Sequence, residues 1–153
     1  MRSLATTLTT ALTSALALTL AILAGLHVYW AAGGRSGGTA AVPSRPAGPA
    51  LFVPSTSATL AVAAALALAA WVVAVSGGLA RPIGPRSFYA VGVWGLGAVF
   101  VARAVGDFHY VGAFKQVRGT PFAALDDRLY TPLCVAIGLA ALWLAYRSRQ
   151  GGP

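Results

Sequence analysis

The chain has 153 residues, 58% hydrophobic and 9% charged, with eleven Lys and Arg against three acidic residues and a formal net charge of +8. A soluble domain carries about 25% charged residues, so the composition excludes an ordinary water-soluble domain and belongs to lipid. The positive residues are scattered through loops and the C-terminus, with no run of them, which points to anionic headgroups rather than to nucleic acid as their partner.

Four stretches are long and apolar enough to cross a bilayer, which takes about 20 helical residues. The first runs from Leu8 to Trp30 and stops at Gly33-Gly34. Arg2 ahead of it gives a signal peptide as an alternative; its length, and His27, Tyr29 and Trp30 at its end, favour a span. The loop from Ala31 to Thr56 holds Pro43, Pro46, Pro49 and Pro54 and reads as an extended crossing without a core of its own. The second span runs from Ser57 to Leu79, with Ser55, Thr56 or Ser57 able to cap its first turn. A tight loop, Ala80 to Arg86, leads to the third span, Ser87 to Val105. In the next loop, Thr120-Pro121 opens a short amphipathic helix, with Phe122, Leu125 and Leu129 opposite Asp126 and Asp127, lying at the interface. Thr131-Pro132 starts the fourth span, which ends near Tyr146.

The predicted fold is therefore an all-α, four-helix transmembrane bundle with a short interfacial helix in the third loop, in one integral membrane domain. Gly92, Gly95, Ala98, Ala102 and Gly106 form a narrow ridge on the third span, and Ala17, Ala21 and Gly25 one on the first. Small residues let helices approach closely in lipid, so these two spans are expected to touch. The arginines flanking the short loop and the termini (Arg2, Arg81, Arg86, Arg147 and Arg149) place both termini in the cytoplasm of a cell-membrane protein.

Antiparallel connectivity brings His27-Val28-Tyr29-Trp30, the stretch Arg103 to Tyr110, and Asp126 to Tyr130 to one face. Ionisable groups at membrane depth are costly and need a structural or functional reason. Arg103 and Asp107 are four apart and pair if the helix continues through Gly106. Facing spans then bring His27 toward them. Candidate proton-transfer residues are Asp107, Asp126, His27 and His109; candidate binding residues are Trp30, Tyr29, Arg103, Tyr110, Lys115 and Tyr130. Each has a plainer reading: an interfacial aromatic belt, a snorkelling arginine, a hydrogen-bonded packing histidine, solvated loop carboxylates. No His, Cys or Asp pair has tight ligand spacing, and Cys134 reads as a packing residue, so neither a metal nor a cofactor is expected.

At these segments the chain resembles a family of small bacterial membrane proteins, domain of unknown function 3995. The matching patterns are His27-x-Tyr29-Trp30 with Gly33-Gly34; Arg103-x-x-Gly106-Asp107-Phe108-x-Tyr110-x-Gly112 through Phe114-Lys115; and Phe122-Ala123 leading to Asp126 and Tyr130-Thr131-Pro132-Leu133-Cys134. Ala113 departs from it, where the resemblance implies an aromatic residue. The resemblance implies four helices and no particular activity.

Three functions are compatible with these residues. The first is a non-catalytic membrane component binding a lipophilic small molecule, a membrane partner or a second copy of itself. The second is a membrane-embedded isomerase or cyclase that moves protons on a terpenoid-like substrate, with the aspartates as acids. The third is a small transporter subunit, for which the spans lack polar residues at mid-depth.

Overall fold

The computed structural model describes residues 2–150. The regular elements are helices: α1 (Arg2–Ala31), α2 (Thr56–Ser76), α3 (Arg86–Val105), α4 (Pro121–Leu125) and α5 (Thr131–Gln150), with a short 3-10 turn at Thr39–Ala41. A π-helical turn, Asp126–Tyr130, joins α4 to α5. Four helical rods, α1, α2, α3 and the combined α4–α5, are long and apolar enough to cross a membrane.

The helix starts follow capping chemistry. Ser55 Oγ accepts the Ala58 N–H at 3.1 Å at the head of α2. Thr120 Oγ1 accepts the Ala123 N–H at 3.0 Å, with Pro121 behind it in the first turn. A hydroxyl at this position satisfies an amide that the first turn leaves free. Thr131-Pro132 was expected to cap a separate helix. Instead the rod that starts at Pro121 runs on through them, so the interfacial helix and the fourth span are one element. Pro132 explains the widened turn ahead of it. A proline ring inside a helix crowds the carbonyl four residues back, and a π turn moves that carbonyl away. The Thr131 N–H accordingly bonds to the Asp126 carbonyl, five residues earlier.

The rods pack as a ring in which α1 lies on α2, α2 on α3, α3 on α5 and α5 on α1. The shared core holds Leu16, Leu20, Val72, Val73, Val93, Ile137 and Leu144. Outward faces remain apolar, with Leu18, Ile22, Val91, Val99 and Leu139 exposed, which suits a lipid surround.

The expected contact of the first span with the third is not the one that forms; α1 packs chiefly on α2, and α3 on α5. The close approach is between Gly97 and Gly138, where a Cβ on Gly138 would lie 2.9 Å from Val101 Cγ2 and 3.3 Å from the Gly97 carbonyl oxygen. Of the predicted ridges, Gly92 faces Val72 of α2, whereas Gly95 and Gly25 have open space where a side chain would be. The side chain of Arg2, one of the arginines used to orient the chain, lies outside the described residues.

Two ends result. The terminal face carries the start of α1, the end of α5 and the short loop between α2 and α3. The loop face carries the two long loops, tied together where Tyr130 Oη donates to the Ala40 carbonyl at 3.3 Å.

Candidate functional site

The loop face is organised by one carboxylate. Asp126 sits at the first position of the π turn and is fully buried. Its Oδ1 accepts from Arg103 Nη2 at 2.7 Å. Its Oδ2 accepts from the Gly112 N–H at 2.8 Å and from Lys115 Nζ at 3.0 Å. Lys115 is buried too, and its ammonium also donates to the Gly112 carbonyl at 3.1 Å and to Asp127 Oδ1. Arg118 Nη1 closes the chain of charges on Asp127 Oδ2 at 3.2 Å. Burying an ion costs several kcal/mol unless partners and hydrogen bonds fill its valences. Here the three donors of Lys115 have three acceptors, and both oxygens of Asp126 are occupied.

The loop that delivers Gly112 and Lys115 is built on two glycines. Gly106 ends α3 with φ +92°, and Gly112 has φ +88°. Their backbones press on each other: a Cβ on Gly106 would overlap the Val111 carbonyl, and one on Gly112 would overlap Val105 and Gly106 backbone atoms. Only glycine fits both the conformation and the space. Helix α3 therefore stops before Asp107, and the expected Arg103–Asp107 pair does not form. Asp107 turns back on its own loop, where Oδ1 accepts the N–H groups of His109, Tyr110 and Val111 at 2.9, 2.7 and 2.8 Å. Partial burial works to raise this carboxyl, but the amides of His109, Val111 and Tyr110 outweigh it and hold it below the usual carboxylate range.

The other predicted residues fall into a second group. His27 Nδ1 lies 2.7 Å from the Leu23 carbonyl. A carbonyl only accepts, so Nδ1 carries a proton, and in the neutral tautomer this selects, Nε2 is the acceptor. The ring meets Trp30 edge to face, with centroids 5.2 Å apart. Trp30 Nε1 donates to the Ser36 carbonyl at 2.9 Å, and Tyr29 Oη accepts the Ser36 N–H at 3.4 Å. Together Tyr29 and Trp30 fold the first loop back over the end of α1. This leaves an open groove of about 620 Å³ between the ends of α1 and α2, lined by His27, Trp30, Val42, Phe52, Ala58 and Val62 among others. His109 and Tyr110 meet edge to face at the loop tip, centroids 4.5 Å apart, with His109 exposed. Tyr130 packs against Phe122 at 5.9 Å.

The predicted cluster is thus two neighbouring structures, an ion lock on the α3–α5 side and an aromatic groove on the α1–α2 side. Sequence reasoning missed the central role of Lys115 and the part of Arg118. One signal was available: the only lysine and all three acidic residues fall between positions 103 and 128 of an otherwise acid-free chain. Among the described residues, no three His, Cys, Asp or Glu side chains gather as a metal-binding set. Cys134 is buried and free of any disulfide.

Fold and site together define a multi-pass membrane protein, a helical bundle pinned at one face by a buried ion network. More narrowly, the chain belongs to the family described as protein of unknown function (DUF3995), which matches residues 20–141. No curated protein and no solved structure matches it with significant similarity.

Proposed function

We propose that this chain is a non-catalytic membrane component that binds a lipophilic molecule in the groove between α1 and α2. The observation that carries this reading is how the carboxylates are used. Proton-transfer chemistry needs an acid presented to a substrate. Both oxygens of Asp126 are taken by Arg103, Gly112 and Lys115, and Asp107 is an exposed loop cap whose Oδ1 accepts three backbone amides. The isomerase or cyclase reading therefore has less support, and so does a transporter, since no charged side chain lies between Arg86 and Arg103 or between Thr131 and Tyr146.

The groove suits an apolar body with a hydroxyl. Phe52, Val42 and Val62 offer apolar wall, and His27 offers one acceptor nitrogen within an aromatic setting. The short flanking loops support termini in the cytoplasm of the cell membrane.

The test is photolabelling of the purified chain in detergent with a diazirine-bearing isoprenoid alcohol. Label is expected on peptides covering residues 27–62. Ala58→Trp, which fills the groove, should remove it, and His27→Phe should weaken it while the folded amount stays constant. Label spread evenly over all four helices, unchanged in both variants, would overturn the reading.

A further inference from the structure

We propose that the terminal face holds a second site, a pocket for a phosphate group. The pocket has a volume of about 500 Å³ and opens between α2, α3 and α5, lined by Ser76, Pro82, Arg86, Tyr89, Ala90 and Arg147 among others. Arg86 and Arg147 therefore both border it, the Arg147 guanidinium resting over the Trp143 ring at 5.5 Å. All three acidic residues of the chain lie on the loop face, so no Asp or Glu neutralises these arginines. This contrasts with Arg103 and Arg118, each paired with an aspartate.

Three further observations favour an anion. Helix α3 begins at Arg86 with no side chain capping its first turn, so the positive end of its dipole meets the pocket. Ser76 Oγ is buried and lacks a hydrogen-bond partner, leaving a hydroxyl free to donate. The wall is preformed: Tyr89 Oη both accepts from the Ile83 N–H at 2.7 Å and donates to the Ile83 carbonyl at 2.8 Å, clamping the short loop that carries Pro82. Two arginines bordering one pocket beside a helix N-terminus and a hydroxyl are complementary to a phosphate, which guanidinium binds in a two-pronged manner. Apolar Val75, Ala90 and Leu144 on the same lining would accept the glycerol and first methylenes of a lipid. The phosphate therefore comes either from an anionic phospholipid or from free phosphate, and experiment separates the two.

The full chain, purified in detergent and stripped of lipid, is titrated with phosphatidylglycerol, with phosphatidylcholine and with inorganic phosphate. Adducts are counted by native mass spectrometry, and phosphate binding is read by thermal shift. Binding of phosphatidylglycerol, or of inorganic phosphate, is expected to weaken about tenfold or more in Arg86→Gln/Arg147→Gln, as the loss of charge-assisted hydrogen bonds implies. Ala90→Phe blocks the pocket with both charges in place and should do the same, which covers the case that the double variant folds poorly. Arg81→Gln/Arg149→Gln removes two charges from the same face outside the pocket and should leave binding intact. Equal loss in that control, or no binding of either anion above phosphatidylcholine, would overturn the proposal.

Discussion

Asp126 and Lys115 are two opposite charges with no solvent exposure, and each is one of the other's partners, beside Arg103 and the Gly112 N–H for Asp126 and Asp127 and the Gly112 carbonyl for Lys115. Removing one partner of a buried pair leaves the other charged and unpaired, which costs about 3–5 kcal/mol, whereas replacing both by apolar side chains of similar volume is often close to neutral. Asp126→Asn is therefore expected to lower the thermal unfolding midpoint in detergent sharply and to reduce the folded yield. Lys115→Met combined with Asp126→Leu should recover part of that loss. Measuring both midpoints checks the claim; a double variant less stable than Asp126→Asn would show that the acceptor Asp126 gives to Arg103 and the Gly112 N–H outweighs its match with Lys115. The same substitution at position 107 touches only a loop cap, because Asp107 accepts from its own loop's amides and not from Arg103. The residue-level error lay there: a spacing of four matters only while the helix lasts, and Gly106 at φ +92° ends it.

Among the elements, the α3–α5 contact depends on two glycines that meet backbone to backbone. A Cβ on Gly138 would stand 2.9 Å from Val101 Cγ2 and 3.1 Å from its backbone nitrogen, closer than packed atoms tolerate. Gly138→Val should force the two rods apart at a cost of about 1–3 kcal/mol, as overpacking does. Gly95, two residues from Gly97 and so turned away from the contact, has nothing within 4 Å, so Gly95→Ala should be neutral or should raise the midpoint through helix propensity. Equal effects in the two variants, measured as unfolding midpoints, would remove Gly138 from the contact. The existence of the helices was legible in the sequence because span length and apolar composition declare them. Their pairing was not. A stripe of small residues marks a face able to approach a neighbour without saying which neighbour, and an alanine-rich chain offers several such stripes. The merging of the interfacial helix with the fourth span was hidden for a related reason. Thr131-Pro132 is a good helix start, and only the earlier start at Thr120-Pro121 together with the π turn makes it an interior segment.

At the scale of the whole molecule, charge is segregated by face. All three acidic residues stand on the loop face, where three of the cations there, Arg103, Lys115 and Arg118, are locked to them. The terminal face keeps Arg81, Arg86, Arg147 and Arg149 with no acidic side chain to offset them. Positive residues close to span ends resist translocation more than those in long loops, so the terminal face is the one expected in the cytoplasm. Cys134 makes this testable, since it is the chain's only cysteine and is buried, which gives a quiet background to thiol labelling. Ser36→Cys lies in the exposed first loop, and Gln150→Cys lies at the exposed end of α5. In intact cells a membrane-impermeant maleimide should label the cysteine at position 36 and reach the one at position 150 only after permeabilisation. The reverse pattern would invert the molecule, putting the aromatic groove on the cytoplasmic side and the arginine pocket outside. Labelling of both positions in intact cells would be graver, because three crossings lie between positions 36 and 150 and an odd number requires them to lie on opposite sides of the bilayer.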